Sequence, residues 1–258
     1  MISLQHLTFA YPGQPAIFQD FDWHAAPGEM WAVIGPSGCG KSTLLYLIAG
    51  LRQPINGGVR VAGAPVTRPR ASTGLILQDY GLLPWATVWE NVALGMRLGQ
   101  FYAGKRETGP ARPYPPSDIS PASVDHWLER LGIARLRHAY PSQLSGGQRQ
   151  RTAIARTLVI EPNLLLMDEP FSSLDALTRE DLQDLVALLA AEARLTTVLV
   201  THNIEEAVCL GKHILVLDKP PTMRARVVEN DAAGSPGYRG QPAYGEKCAE
   251  LHCALANK

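Results

Sequence analysis

Residues 35–43, which read GPSGCGKST, constrain this chain more than any other part of its sequence. They fit the pattern G-x-x-x-x-G-K-[ST] with every fixed position filled. The apolar residues 30–34 before the run predict a short buried strand, and residues 44–50 after it predict a helix that ends at a glycine. A strand, a glycine-rich loop and a helix are the context in which this pattern forms a phosphate-binding loop.

The residue types in this loop suit a bound nucleoside triphosphate. Gly38 and Gly40 carry no side chain, so the backbone N–H groups around them can turn towards a phosphate. The N-terminus of the following helix favours negative charge, and Lys41 adds a full positive charge for the β- and γ-phosphates. The hydroxyl of Ser42 is placed to bind Mg²⁺. The alternative is a glycine-rich turn that binds nothing, which the complete pattern in this context disfavours.

Size and composition narrow the classes of protein to consider. The chain has 258 residues, 46% of them hydrophobic, enough for one large domain or for a domain with a subdomain. Lys and Arg total 24, as do Asp and Glu, and this balance argues against nucleic-acid binding through a broad basic surface. The first residues do not resemble a signal peptide, and the apolar runs fall far short of the ~20 residues that span a bilayer. We therefore expect a soluble, cytosolic chain that relies on another subunit in any membrane process.

The part of the chain before the loop predicts a small antiparallel sheet. Residues 2–10 alternate between apolar and polar side chains, as a half-buried strand does, and residues 17–23 predict a second strand. Tyr11 lies in the turn after the first strand. Its ring is either a face on which adenine stacks or an ordinary turn tyrosine.

Polar residues follow several predicted core strands at the point where each strand ends. Such residues point towards the ligand crevice of an open α/β sheet. Asp168 suits Mg²⁺, and Glu169 can serve as the base that polarises an attacking water. Gln78 contacts Mg²⁺ or that water, or is structural; His202 contacts the γ-phosphate, or is structural. The predicted strands after the phosphate-binding loop are residues 57–63, 74–77, 164–168, 197–201 and 214–217.

A second glycine-rich segment lies far along the chain. Residues 144–151 read LSGGQRQR and open a predicted helix that runs to Leu158. Two glycines at a helix start expose backbone donors, which makes a second anion site. A single nucleotide does not explain two such sites in one chain. We therefore interpret this segment as a surface that closes on a nucleotide held by another copy.

Two loops are open to more than one interpretation. Residues 82–85, LLPW, pack against the chain's own core or against a partner helix. Residues 99–121 hold five prolines, which excludes a helix or central strand and predicts an exposed loop. That loop either binds a partner or is a tolerated insertion. A helix is expected over residues 123–131, with Ser123 as its cap.

The four cysteines form no paired framework of the secreted kind. Cys39 is either a redox-sensitive thiol at a helix N-terminus or a small residue that fits the loop. Cys248, His252 and Cys253 offer three potential metal ligands, a weak set without a second pair.

Taken together, the motifs resemble those of the ATP-binding subunits of ABC transporters over roughly residues 2–218. Besides the phosphate loop, the resemblance rests on LSGGQ at 144–148, LMDEP at 166–170, SLD at 173–175 and TH at 201–202. It implies an α/β fold with a RecA-like P-loop core, an N-terminal antiparallel β subdomain and an α-helical subdomain. The nucleotide-binding domain is then residues 1–218, with the helical subdomain at about 87–160 and its proline-rich insert at about 99–121. Residues 219–258 form a small C-terminal extension.

The resemblance also implies residue roles around ATP and Mg²⁺. Glu169 is the general base, His202 contacts the γ-phosphate, Asp168 supports Mg²⁺ and Gln78 links Mg²⁺ to the membrane subunit. Tyr11 stacks on adenine. The phosphates and Mg²⁺ are held by Gly35, Pro36, Ser37, Gly38, Cys39, Gly40, Lys41, Ser42 and Thr43. The site of the partner copy is completed by Ser145, Gly146, Gly147 and Gln148, and Asp175 communicates across the dimer.

Finer features resemble the importer branch for nitrate, sulfonate, taurine and related small molecules. They are GPSGCG at 35–40, LLPW at 82–85 followed by Asn91-Val92, and DALTR at 175–179. The expected partners are a second copy arranged head to tail, a transmembrane permease and, indirectly, a substrate-binding protein, with no nucleic acid. The chain is then peripheral, at the cytoplasmic face of the cell membrane. The alternatives are an exporter or lipid-trafficking ATPase with the same motor, and a soluble ABC ATPase that acts on nucleic acid or ribosomes.

Overall fold

The structure, a computed structural model, describes residues 1–102 and 120–256. Its strands are β1 (Ile2–Ala10), β2 (Ala16–Ala25), β3 (Met30–Ile34), β4 (Asn56–Val61), β5 (Ala64–Pro65), β6 (Thr73–Ile76), β7 (Leu164–Asp168), β8 (Thr196–Val200), β9 (His213–Val216) and β10 (Arg226–Glu229). Its α-helices are α1 (Lys41–Ile48), α2 (Val88–Tyr102), α3 (Pro121–Arg130), α4 (Gly146–Leu158), α5 (Ala176–Glu192), α6 (Ile204–Leu210) and α7 (Pro242–Ala256).

These elements form two compact units. The first unit contains residues 1–70, 166–169 and 183 onwards, and the second contains residues 71–165 and 170–182. Strand β7 and helix α5 each contribute residues to both units. Along the described part of the chain, no helix combines the length and the apolar composition needed to cross a bilayer.

An antiparallel sheet in the order β2-β1-β4-β5 begins the first unit. Residues Ile2 and Leu4 of β1 face Ala25 and Trp23 of β2. The residues at positions 2, 4, 7 and 9 are buried, as the alternating pattern predicts, although bulges interrupt the register after Leu4. The predicted N-terminal antiparallel sheet is therefore confirmed.

The second sheet of this unit runs in the order β10-β9-β3-β8-β7. Strands β3, β8 and β9 pair in parallel, and β10 is antiparallel to β9. Every residue of β3, β7 and β8 is buried. Complete burial explains why β3 and the first four residues of β7 are apolar runs and why both strands match the predicted ranges.

One hydrophobic cluster joins the C-terminal segment to this sheet. It contains Ile34 and Val216 from the strands, Val208 from α6, and Tyr238 and Leu251 from the segment itself. Tyr238 also donates its hydroxyl to Asn230 Oδ1 at 2.7 Å. The residues after 218 thus share the core of the first unit, in addition to supplying the edge strand β10.

The second unit consists mainly of helices α2, α3 and α4, with β6 beside the first residues of β7. Buried side chains along α4 include Ala153, Ile154 and Thr157. Gly74 of β6 lies so close to Thr157 that a Cβ would come within 2.3 Å of its methyl group. That close approach explains the glycine in this strand.

Two expectations for this unit were wrong. Helix α3 is capped by Ser120 rather than Ser123. Ser123 is instead the third helical residue, and its Oγ accepts a hydrogen bond from the Ser120 N–H. Pro121 occupies the first helical position, where it suits the fixed φ of proline. Helix α2 continues to Tyr102, so residues 99–102 are helical, because the first proline of the segment comes only at 110. Residues 103–119 lie outside the described part of the chain.

Candidate nucleotide site

The predicted phosphate-binding loop connects β3 to α1. Gly38 and Gly40 have φ values of 79° and 101°, which lie in the left-handed region that favours glycine. A Cβ on Gly40 would come within 2.4 Å of Ile17 Cγ2. Helix α1 begins directly at Lys41, with Gly40 at its N-cap. The loop therefore has the backbone that a phosphate cradle needs; φ favours glycine at both positions, and close packing also requires it at Gly40.

Lys41 places its ammonium group inside this loop. The side chain is only 8% exposed, and Nζ donates to the carbonyl oxygens of Gly35 at 2.9 Å and Pro36 at 3.1 Å. Cys39 is fully buried, with its Sγ 3.9 Å from the same nitrogen. Burial favours the packing interpretation of Cys39 over an accessible redox thiol.

Asp168 lies at the end of β7 and is held by two hydroxyls from α1. Ser42 donates to Oδ1 at 2.9 Å, and Tyr46 donates to Oδ2 at 3.1 Å. Burial raises the pKa of the Asp168 carboxyl, and the hydrogen bonds from Ser42 and Tyr46 act in the opposite direction. A hydroxyl and a carboxylate side by side are hard oxygen ligands, so Ser42 and Asp168 fit a magnesium ion.

Glu169 and His202 meet at the edge of the sheet where β7 and β8 end. The Glu169 N–H donates to Val200 O at 2.8 Å, and the residue has a φ of 47°. His202 Nδ1 lies 3.1 Å from Glu169 Oε2, with side-chain exposures of 63% and 22%. A left-handed φ on a glutamate is strained, and such strain clusters at functional sites. The structure thus brings together two residues that the sequence predicts at the ends of two strands.

The segment after His202 is fixed by two side-chain hydrogen bonds. Thr201 Oγ1 donates to the buried Glu206 carboxylate at 2.6 Å, and Asn203 Oδ1 accepts from the Glu206 N–H at 3.2 Å, which caps α6. These bonds hold the chain on either side of His202 while its ring stays exposed.

Tyr11 lies on the same unit as the phosphate loop. Its hydroxyl is 3.3 Å from Thr43 Oγ1, its ring packs edge-on against Phe9, and the Arg52 guanidinium carbon lies 5.9 Å from the ring centroid. The ring is a half-buried aromatic surface beside α1. Both interpretations of Tyr11 remain compatible with this environment.

In the second unit, the LSGGQ segment starts α4. Ser145 is the N-cap: its Oγ accepts from the Gln148 N–H at 3.3 Å, and Gln148 Oε1 accepts from the Ser145 N–H at 3.0 Å. A Cβ on Gly147 would come within 2.4 Å of Thr178 Cγ2, whereas one on Gly146 would be 3.2 Å from Leu174. The capping bond uses an oxygen lone pair of Ser145 and leaves its O–H proton to donate to an anion.

Gln78 and Asp175 also belong to the second unit. Gln78 is exposed, two residues beyond the end of β6. The Asp175 side chain accepts from the Thr178 N–H at 3.0 Å, and this hydrogen bond holds the pKa of the carboxyl below its usual value. Asp175 is therefore a cap of α5 as well as an exposed carboxylate.

The loop after Gln78 is held by residues that the sequence did not single out. Arg156 of α4 donates to Gly81 O at 2.6 Å and to Tyr80 O at 2.8 Å. The Tyr80 hydroxyl lies 2.5 Å from Ser173 Oγ. No spacing rule in the sequence marks Arg156 or Tyr80, whereas Tyr46 lies four residues after Ser42 and helical spacing could have found it.

The LLPW segment exposes its tryptophan. Trp85 is 74% exposed, while Leu82 and Leu83 are half-buried. The fully buried Asn91 fixes the loop through its side-chain amide, which bonds Leu83 N and Leu83 O at 2.8 and 3.1 Å. The leucines thus pack on the chain itself, and the tryptophan stays available to a partner.

Among the described residues, His6, Asp20 and Asp22 form the one group of three or more His, Cys, Asp or Glu side chains that could share a metal ion. The grouping of Cys248, His252 and Cys253 is therefore not supported. His6 Nδ1 instead lies 2.8 Å from Asp20 Oδ1 in an exposed ion pair.

Comparison with known proteins places this geometry in a family. A family profile described as ABC transporter matches residues 18–172. The nitrate import ATP-binding protein NrtD of Synechococcus elongatus is 40% identical over 215 residues, which cover 83% of this chain and 74% of the relative. The taurine import ATP-binding protein TauB of Escherichia coli K12 is 40% identical over 230 residues, 89% of this chain and 83% of the relative.

Solved structures agree with the sequence relatives. The dimeric structure of the bacterial ABC transporter cassette MJ0796 has a TM-score of 0.73 at 29% identity and covers 89% of this chain and 98% of that chain. CbiO1 from Clostridium perfringens, part of an ABC transporter complex, has a TM-score of 0.73 at 26% identity, with 90% and 88% covered. The chain therefore belongs to the ABC transporter family, as an ATPase subunit similar to those of nitrate and taurine importers.

Proposed function

We propose that this chain binds and hydrolyses ATP in a head-to-tail dimer and so powers the import of a small molecule through a separate membrane permease. One observation carries the proposal: the Glu169–His202 pair lies on the same unit as the phosphate loop and the Ser42–Asp168 pair. An in-line attack of water on a γ-phosphate requires a base, a positive charge beside the phosphates and ligands for magnesium. Glu169, the phosphate loop and the Ser42–Asp168 pair can supply these three parts.

Each residue of the first unit has a defined task. Residues 35–43 hold the phosphates through backbone N–H groups and the Lys41 ammonium, and Tyr11 stacks on the adenine. Glu169 accepts a proton from the attacking water, and His202 contacts the γ-phosphate and orients Glu169. Ser42 and Asp168 would hold magnesium, which would neutralise charge on the phosphate oxygens. Catalysis then rests on positioning and electrostatic stabilisation.

The second unit serves the site of another copy. Ser145, Gly146, Gly147 and Gln148 offer a hydroxyl proton, helix N-terminal N–H groups and an amide to an anion. Asp175 lies just before α5 and communicates across the dimer. Similar cassettes support this arrangement, because MJ0796 is described both as a dimer and in a post-hydrolysis state bound to ADP and Pi.

The permease is the second partner. The exposed Trp85, on a loop fixed by Asn91, offers an aromatic anchor for a helix of that subunit. Gln78 lies just before this loop in the chain, and Arg156 holds the residues between them through the carbonyls of Tyr80 and Gly81. The residue proposed to sense the nucleotide and the residue proposed to contact the permease therefore lie on one segment of the second unit. The chain then lies at the cytoplasmic face of the membrane, with a substrate-binding protein acting through the permease. Nitrate and taurine in the names of the relatives favour a small anionic or zwitterionic substrate.

Substitution of the proposed base tests this function. Glu169→Gln keeps the size of the side chain but removes its basicity, so ATP hydrolysis should fall on the order of a hundred- to thousand-fold while ATP still binds. Phosphate release and binding of a fluorescent ATP analogue measure the two separately. The exposed Glu161→Gln is the matched control and should hydrolyse ATP as the wild type does. Full ATP turnover in Glu169→Gln would contradict the proposed function.

A further inference from the structure

The carboxylate of Asp168 is bonded through both of its oxygens to one helix. Ser42 and Tyr46 are four residues apart on α1, so their side chains lie on one face of that helix, one turn apart. The shorter hydroxyl of Ser42 reaches Oδ1 at 2.9 Å, and the longer tyrosine reaches Oδ2 at 3.1 Å. All three residues belong to the first unit. The carboxyl group is therefore fixed at two points rather than one.

We propose that Tyr46 is a positioning residue for the magnesium site, through its hydrogen bond to Asp168 Oδ2. This inference rests on the proposed function, which gives Ser42 and Asp168 to Mg²⁺. Tyr46 touches neither metal nor nucleotide in the proposal. It sets the rotation of the Asp168 carboxyl group, and with it the direction in which that group presents its lone pairs.

Two physical properties make this rotation matter. Asp168 is only 5% exposed, so water cannot freely replace a lost donor to its oxygens. Magnesium also demands near-ideal octahedral geometry with short metal–oxygen distances, so a misdirected carboxylate binds it poorly. Groups that hydrogen-bond to metal ligands typically change metal affinity ten- to a hundred-fold when removed. Without the Tyr46 hydroxyl, Ser42 still donates to Oδ1, but Oδ2 loses its donor from α1.

The test measures magnesium dependence instead of turnover alone. A fluorescent ATP analogue is titrated into wild type and Tyr46→Phe, first in EDTA and then at fixed analogue over rising MgCl₂. We expect affinity in EDTA to stay within about twofold, while the Mg²⁺ concentration for half-maximal binding rises about tenfold. Tyr238→Phe is the matched control, because it also removes a hydroxyl that donates to a buried partner of the first unit, at 2.7 Å. It should leave the Mg²⁺ dependence unchanged.

The outcomes separate this inference from the proposed function. If folded Tyr46→Phe, checked by its thermal unfolding, needs no more Mg²⁺ than the wild type, Tyr46 does not position the metal ligand. Equal losses with and without Mg²⁺ would also overturn the inference, because they indicate a general structural role. A wild type that binds the analogue in neither condition would instead remove the proposed function itself.

Discussion

The first unit gathers ionisable side chains at the carboxyl ends of buried strands and at the start of α1, whereas the second unit presents hydroxyls and backbone N–H groups at the start of one helix. Lys41, Asp168 and Glu169 are each tied to backbone or side chains around them. Ser145, by contrast, caps α4 and keeps only a hydroxyl proton to offer. The second unit uses its charged Arg156 to hold a loop. In the proposed function, this difference corresponds to a first unit that binds the nucleotide and performs chemistry and a second unit that completes the site of another copy.

The largest expected effect is a loss of ATP affinity, which should follow a substitution in the first unit but not one in the second. Lys41→Ala removes an ammonium group that donates inside the phosphate loop, so ATP affinity of dilute protein should fall about a hundred-fold. Gln148→Ala in the second unit should leave that affinity within about twofold, because a single copy binds through its first unit. Analogue fluorescence at low protein concentration measures both. Equal losses in the two variants would mean that the units do not divide the work in this way.

A smaller effect concerns the stability of the second unit. Arg156→Gln leaves the carbonyls of Tyr80 and Gly81 without their guanidinium donors, which should cost about 2 kcal/mol of unfolding free energy. Chemical denaturation checks the value, and the exposed Arg135→Gln, from the same unit, is the control. Nucleotide binding by dilute protein should persist. A variant as stable as the wild type would show that this loop does not depend on Arg156.

The smallest expected effect concerns an exposed ion pair of the first unit that is separate from the proposed nucleotide site. The hydrogen bond that protonated His6 donates to Asp20, helped by the charge of Asp22, raises the pKa of His6 above its usual value. A raised pKa means that the pairing stabilises the fold fully below the unfolded-state pKa and is lost as pH rises through the folded-state value. In Asp20→Asn, the pKa of His6 measured by NMR should return towards the ordinary range, with ATP binding unchanged. An unmoved His6 titration would contradict the pairing.

Sequence patterns predicted where the candidate catalytic residues of the first unit lie, because those residues follow buried apolar strands. Strands β3 and β7 are buried on both faces, so they read as apolar runs, and the polar residues Asp168 and Glu169 mark where such a run ends. The sequence placed Glu169 and His202 each at a strand end, but their contact was not predicted and follows from β7 and β8 being neighbours in the sheet. The role of each residue in ATP binding stays a prediction.

Other features depended on contacts that local patterns do not encode. Strand β10 joins the main sheet by pairing with β9, and Tyr238 enters the core of the first unit, although the sequence after residue 218 indicates only an extension. The cap of α3 fell on Ser120 because Pro121 could occupy the first helical turn. Arg156 and Tyr80 act through backbone carbonyls and a hydroxyl in distant segments, so no periodicity reveals them.

The most direct test of the central claim is the ATPase rate per molecule as a function of protein concentration, for the wild type, Ser145→Arg and the control Ser142→Arg. Ser142 is an exposed serine of the same unit outside the LSGGQ segment. If Ser145 completes the active site of a second copy, the rate per molecule rises with concentration in the wild type and in Ser142→Arg and collapses in Ser145→Arg. A rate that is independent of concentration and unaffected by Ser145→Arg would mean that each chain hydrolyses ATP alone, and the division of labour between the two units would be wrong.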